Sequence, residues 1–229
     1  LTGTNASDED DQFGYAVATS ADGKTIVVGA REDETSGTDT GVVYVFDREG
    51  NNFNQVGILT GTYATDTDDR FGGESVAISA DGKTIIVGAH QDEYPGSSSS
   101  SGVVYVFDRE GNNFNQVGIL TGSTTSSSDS FGWSVATSAD GKTIVASAVF
   151  DEISGHDGHG VVYVFDREGN NFNQVGILTG SYALDGIDFF GIKLATSADG
   201  KTIIVGASSD EYPGSSSSSG VVYVYNRVG

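Results

Sequence analysis

The sequence contains no cysteine, no methionine, only two prolines and a single tryptophan among 229 residues. Without cysteine there are no disulfides, no thiol catalysis and no thiolate zinc sites. Without methionine the first residue of an intact translation product is missing, so a processed chain or a segment of a longer one is expected. Positive charge is scarce: 11 Lys+Arg stand against 32 Asp+Glu, for a net charge of −21 and a pI near 4.1. With no basic patch to neutralise phosphates, no nucleic-acid partner is expected, and anionic membrane surfaces are equally unsuited. No apolar run approaches the ~20 residues of a membrane helix, so no direct membrane insertion is expected. No signal peptide remains at the start, where one could have been removed. Aromatic residues (12 Phe, 10 Tyr, 1 Trp) are too many for a disordered acidic tail, so the chain is expected to fold.

What the sequence does have is a repeat. Ala-Asp-Gly-Lys-Thr recurs with its Asp at Asp22, Asp81, Asp140 and Asp199, each 59 residues after the last. Phe-Gly recurs at Phe13, Phe71, Phe131 and Phe190, and a Val-Val-Tyr-Val run begins at Val42, Val103, Val161 and Val221. Four units follow, at about 4–61, 62–122, 123–180 and 181–229, within a single domain or segment. Each unit reads as four short strands. Strand A spans Tyr15 to Ser20, and Asp22-Gly23 predicts a tight type I′ hairpin to strand B, Thr25 to Ala30. After a polar loop comes strand C, Val42 to Phe46, a continuous apolar run of the kind buried on both faces. A turn at Glu49 to Asn52 leads to strand D, Phe53 to Leu59, polar as an outer edge strand is. No segment has helical periodicity. Four antiparallel strands repeated at this period describe an all-β chain, a β-propeller of four four-stranded blades.

The unit "DQFGYAVATSADGKTIVVGA…GVVYVFDREGNNFNQVGILTG" resembles the FG-GAP repeats of integrin-type β-propellers, closest to their bacterial and algal branch. The resemblance covers all four units. It implies the propeller fold and an extracellular or cell-surface module that binds or scaffolds. The integrin-type calcium hairpin between strands A and B, Asp-x-Asp-x-Asp-Gly, is replaced here by Ser-Ala-Asp-Gly-Lys-Thr (Ser20 to Thr25). A single Asp cannot form that cage, so the family's calcium site does not carry over. Unit four stops after strand C, and Leu1-Thr2-Gly3 matches only the end of a strand D. A closed four-bladed ring and part of a larger ring are both compatible with this.

In a propeller the A–B and C–D turns share one face, and the B–C and D–A loops share the other. Sorted this way, the B–C and D–A loops hold 21 acidic residues against Arg31 and Arg70, while the turns hold ten acids against eight bases. Such one-sided charge repels itself and is relieved by cations. Two acidic elements recur. The first is an acid pair after strand B: Asp33-Glu34, Asp92-Glu93, Asp151-Glu152 and Asp210-Glu211, followed in units two and four by Tyr94 and Tyr212. These form the candidate binding face. The second lies two residues before Phe-Gly, where Asp8, Asp10 and Asp11, then Asp66, Asp68 and Asp69, make Asp-x-Asp-Asp. These hard oxygen ligands are the candidate metal set, and they suit Ca²⁺. The competing reading is that such an Asp caps its turn by accepting backbone N–H bonds.

The remaining candidates carry less. His156 and His159 flank Asp157 in the unit-three loop, an incomplete ligand set for a transition metal. The serine runs after Tyr94-Pro95 and Tyr212-Pro213 read as solvating loop tips. Asn5-Ala6-Ser7 is a formal glycosylation sequon, and Trp133 is expected to pack at the inner end of its blade. No nucleophile, His and acid recur together, and acids are too abundant for a carboxylate pair to be diagnostic. The expected function is therefore a non-catalytic extracellular structural or adhesion module. Its acidic loop face would meet a protein, a glycan or another copy with the help of cations. A glycan-binding lectin-like propeller is the alternative, and a propeller hydrolase the least supported.

Overall fold

The 59-residue repeat folds into one sheet per unit in a computed structural model of the chain, which describes residues 1–6, 10–35, 39–94, 100–152, 159–181, 188–211 and 219–228. The first sheet orders β1 (Phe13–Thr19), β2 (Thr25–Ala30), β3 (Val42–Glu49) and β4 (Asn52–Leu59) as an antiparallel meander. The second repeats this with β5 (Val76–Ile78), β6 (Thr84–Ala89), β7 (Val103–Glu110) and β8 (Asn113–Leu120). The third contains β9 (Phe131–Thr137), β10 (Thr143–Ala148), β11 (Val161–Glu168) and β12 (Asn171–Leu178). The fourth has three strands, β13 (Phe190–Thr196), β14 (Thr202–Ala207) and β15 (Val221–Asn226). No helix occurs among the described residues. The result is a four-bladed β-propeller assembly, with the first strand of each blade facing a shared inner groove.

Strand C is apolar on both faces because each blade is sandwiched between neighbours. Val43 and Val45 of blade 1 pack onto Val76, Ile85, Val87 and Tyr105 of blade 2, while Val42, Tyr44 and Phe46 point to the opposite face. Blades 2 and 3 join the same way through Val104 and Val106 against Ile144 and Tyr163, and blades 3 and 4 through Val162 and Val164 against Ile203 and Tyr223.

Two local expectations are corrected. The A–B hairpin is not a type I′ turn, because Asp22 keeps a negative φ and only Gly23 is left-handed, at +66°. Ser20 instead closes a longer loop: Gly23 N–H donates to Ser20 O, the Ser20 hydroxyl donates to Asp22 Oδ1 and Thr25 N–H donates to Ser20 Oγ. Strand A of blade 2 is also cut to three residues. From Phe71 to Ser79 the chain has one residue more than from Phe13 to Ser20, and the surplus around Gly73-Glu74 leaves the ladder.

The two ends of each blade are distinct. Arg48 N–H donates to Lys24 O, tying the C–D turn to the A–B turn, and the bond recurs from Arg109, Arg167 and Arg227. At the other end Asp11, Asp129 and Asp188 accept backbone bonds from the loop after strand B, so the D–A and B–C loops lie together.

Candidate functional site

The acid pair after strand B splits into two roles. Its first member turns inward. Tyr44 of β3 donates its hydroxyl to Asp33 Oδ2 at 2.5 Å, and Tyr105, Tyr163 and Tyr223 bond Asp92, Asp151 and Asp210 in the same way. All four carboxyls are at most 1% exposed. Each Asp also closes the base of its loop: Asp33 O accepts from Gly41 N–H at 3.2 Å, and Asp92 O from Gly102 N–H at 3.0 Å. Burial raises the Asp92 and Asp151 carboxyls to about 6, against the lowering pull of the tyrosine bond. The same burial, with the neighbouring carboxylate, drives the Tyr105 and Tyr163 hydroxyls far up, so they remain donors. The second members, Glu34, Glu93, Glu152 and Glu211, face outward and are exposed.

The acids before Phe-Gly divide similarly. Asp11, Asp69, Asp129 and Asp188 are buried. Asp69 Oδ2 accepts Asp66 N–H at 2.7 Å, and Asp129 accepts Ser126 N–H, which is turn capping. Asp188 Oδ2 meets His159 Nδ1 at 2.8 Å. Burial is the main cause that lifts Asp69 to about 7, with Asp92, Asp66 and Glu93 adding repulsion. Asp10, Asp66 and Asp68 are exposed. Among the described residues, no three His, Asp or Glu side chains gather in a group that could hold a metal ion. Asp8, Tyr212 and His156 lie outside the described residues.

Both cations of this end are engaged. Arg31 contacts Glu32 and Glu74, each at 3.2 Å, and lies 4.1 Å over the Tyr15 ring. Arg70 contacts Glu32 at 3.0 Å and Asp68 at 3.4 Å. Tyr94 is 40% exposed and meets Tyr63 edge-on at 5.4 Å. Trp133, on the inner strand of blade 3, packs against His90 of blade 2 at 4.8 Å and Phe150 of its own blade at 6.0 Å. Burial, reinforced by Arg70 and Arg31, lowers His90 to about 4.

The inner groove has a volume of about 290 Å³ and includes Glu74, Ser75, Ser134 and Lys193. Its serines are structural links: Ser75 Oγ accepts Val135 N–H at 2.8 Å, and Ser134 Oγ accepts Leu194 N–H at 3.1 Å. At the turn end a cleft of about 510 Å³ lies between blades 2 and 3, lined by Asp81, Lys83, Asp108, Arg109, Glu110 and Arg167 among others. Charge is balanced there, and Arg167 is bound to Asp108.

These four linked blades define a repeat β-propeller. A family model described as "FG-GAP repeat" matches residues 4–46, 54–107 and 114–165, and the chain belongs to that family. Among solved structures it is similar to the β-propeller domain of Cps50 (Swd1) from Myceliophteria thermophila, at 12% identity and a TM-score of 0.55. That match covers 93% of this chain and 53% of the other. It is also similar to a putative 6-phosphogluconolactonase from Bacteroides fragilis NCTC 9343, at 16% identity and a TM-score of 0.52, covering 90% of this chain and 51% of that one. At such identities the likeness is one of fold. The chain spans about half the length of these structures. No match is found among curated proteins.

The Tyr–Asp bonds and the bridges between blades were missed in the sequence. Their signal was present, since Asp33/Tyr44 and Asp47/Arg109 recur with near-constant spacing in later units. Counting acids by loop treats every carboxylate as solvated, and so hides those spent on the core.

Proposed function

We propose that this propeller is a non-catalytic extracellular module that binds a protein partner, or a further copy, through the loop end formed by the B–C and D–A loops. The FG-GAP propeller fold fits a non-catalytic protein-binding role. The observation that carries the reading is the state of charge at this end. Glu34, Glu93, Glu211, Asp10 and Asp66 are exposed, whereas Arg31 and Arg70 are already bound to other carboxylates. Unneutralised acid of this kind attracts a basic surface and raises its association rate. Calcium would assist by screening the exposed acids, Asp10 and Asp66 among them. The groove serines Ser75 and Ser134 are engaged as acceptors of backbone N–H bonds, which favours a binding role over a hydrolytic one. A glycan-binding role draws on one feature, the exposed Tyr94 beside Tyr63.

A cationic lysine-rich peptide titrated into the protein, with calcium or with EDTA, tests the reading. Binding is expected to weaken steeply with salt and to fall at least about tenfold when Glu34, Glu93 and Glu211 are changed to Gln. Binding equal in the Gln variant, or no binding at low salt, would refute it. A glycan array with hits abolished by Tyr94→Ala would transfer support to the lectin role.

A further inference from the structure

The four units are close copies, so the places where they differ carry information. Gly41 to Gly61, Gly102 to Gly122 and Gly160 to Gly180 are identical, and Asp-x-Phe-Gly keeps its Asp, Phe and Gly in every unit. Three places beside these fixed residues hold a different side chain in each blade. The x of Asp-x-Phe-Gly is Gln12, Arg70, Ser130 and Phe189. Directly after Phe-Gly stand Tyr15, Gly73-Glu74, Trp133 and Ile192. Directly after strand B stand Arg31-Glu32, His90-Gln91, Val149-Phe150 and Ser208-Ser209.

Conformation does not explain the choice at x. The φ angle is 51° at Gln12, 59° at Arg70 and Ser130, and 53° at Phe189. Glycine and asparagine enter this left-handed region most readily, and a bulky side chain is an outlier there. None of the four blades uses either residue. The side chain at x is therefore held for what it touches, and strained backbone of this kind gathers at binding sites.

The three divergent places touch one another across the blade boundaries. Arg70 Nε donates to Gln91 Oε1 at 3.1 Å, and Arg70 also pairs with Glu32 of blade 1. Arg31 pairs with Glu74 of blade 2 and covers the Tyr15 ring. From His90, beside Gln91, an aromatic row continues. His90 meets Trp133 of blade 3 at 4.8 Å, Trp133 meets Phe150 at 6.0 Å, and Phe150 meets Phe189 of blade 4 at 5.8 Å. The patch thus has an ionic half, in which both arginines are already paired, and an aromatic half. Trp133, Phe150 and Phe189 are each half-buried, which leaves part of every side chain in water.

We propose that this patch selects the partner of the loop end, and that its aromatic half takes a large apolar side chain flanked in the partner protein by lysine or arginine. The inference rests on the loop end being a binding surface. The exposed Glu34, Glu93 and Glu211 recur at one position of their units, so they attract any basic segment alike. Discrimination needs a feature that is not repeated, and the divergent patch is that feature. Its chemistry matches the usual division of an interface, with aromatic anchors at the centre and charge at the rim. An apolar side chain set between basic ones meets the row and the acids at once.

Trp133 is the only tryptophan of the chain and sits in the row, so its fluorescence reports on the patch directly. The probes are two tryptophan-free peptides, Lys-Lys-Phe-Lys-Lys and Lys-Lys-Ala-Lys-Lys, titrated into the 229-residue chain at low and at high salt. The Phe peptide is expected to bind at least about tenfold tighter, as an anchor in a hot spot does, and to shift the Trp133 emission to shorter wavelength. Its advantage persists in high salt, whereas the binding shared by both peptides fades. Phe150→Ala is expected to bring the two peptides to one affinity, while changing Glu34, Glu93 and Glu211 to Gln weakens both alike. Circular dichroism establishes that Phe150→Ala is folded, and Phe189→Ser replaces it if it is not. Equal affinity of the two peptides for the wild type, or an advantage for Phe that a folded variant keeps, overturns the proposal and leaves the acidic loop end as a binding surface. No binding of either peptide at low salt overturns both.

Discussion

Arg109 of blade 2 grips Asp47 of blade 1 with both arms of its guanidinium, Nη1 to Oδ1 at 2.6 Å and Nη2 to Oδ2 at 2.5 Å, while Nη1 also reaches Thr25 Oγ1 at 3.1 Å. The same fork recurs between Arg167 and Asp108, with Nη1 on Thr84. Both guanidinium groups are largely covered, and a two-pronged geometry is where an ion pair is strong. The Asp47 bond raises the Arg109 pKa still further, and the Arg167 bond lowers that of Asp108.

Arg109→Ala should therefore destabilise the fold by roughly 1.5–3 kcal/mol, the range for hydrogen bonds to charged groups. Arg109→Lys should recover only part of this, because an ammonium cannot fork. Arg48→Ala, at the equivalent site without a carboxylate, should cost less than about 0.5 kcal/mol, like other surface changes. Urea unfolding at a concentration that keeps the chain monomeric measures all three. Equal losses at Arg48 and Arg109 would show that the fork between blades contributes nothing.

Acidity should stabilise this protein over an unusual range. Asp69 at about 7, and Asp92 and Asp151 at about 6, are raised above the ordinary carboxylate value of 3.8. From about pH 4 to 7 these three carboxyls hold protons that the unfolded chain has released, an excess offset only in part by His90, which is neutral in the fold where the unfolded chain still charges it. The slope of stability with pH is then negative, and stability present near pH 4 is lost as pH rises through these values. Below that, Asp108 and Asp140, whose pKa values are lowered, begin to protonate, and stability falls again. Thermal melts should thus peak near pH 4–5. Asp69→Asn should flatten the decline toward pH 8. Tyr105→Phe removes the donor that lowers Asp92, and should cost about 1–3 kcal/mol, more at pH 8 than at pH 5. Melts that rise steadily from pH 5 to pH 8 would contradict this account.

How much of this was readable in advance depends on what the repeat could reveal. Val42 to Phe46 announced a doubly buried strand because five consecutive apolar residues have no polar face to show, and the blade follows from that. The hairpin at Asp22-Gly23 was misjudged because the dipeptide signal ignores Ser20, whose side chain holds both ends of a longer loop. The loop acids were legible in number but not in role. Asp33 and Glu34 are adjacent and equally acidic, yet one is buried under Tyr44 and the other faces water. Only the position of a tyrosine eleven residues later distinguishes them, and that contact crosses a loop whose path sequence does not specify.

The last prediction uses one position in the second strand of each blade, occupied by Gly29, Gly88, Ser147 and Gly206. At Gly88 a methyl group would fall 2.0 Å from Gly132 O and 3.0 Å from its carbonyl carbon, backbone atoms that cannot swing aside. At blade 3 the equivalent Ser147 fits, since there Gly191 lies 2.6 Å from its Cβ only as a hypothetical side chain and presents no Cβ of its own. The Ser147 hydroxyl even accepts Ser134 N–H at 3.1 Å. The approach of neighbouring blades is therefore closer at Gly88 than at Ser147. Gly88→Ala should cost about 1–3 kcal/mol or more, as overpacking does in cores. Gly206→Ala, on the open side of blade 4, should be neutral or stabilising by up to about 1 kcal/mol through the unfolded chain. Urea denaturation of the two variants separates them, and a Gly88→Ala protein as stable as the wild type would mean that blades 2 and 3 leave room for a methyl group at this position.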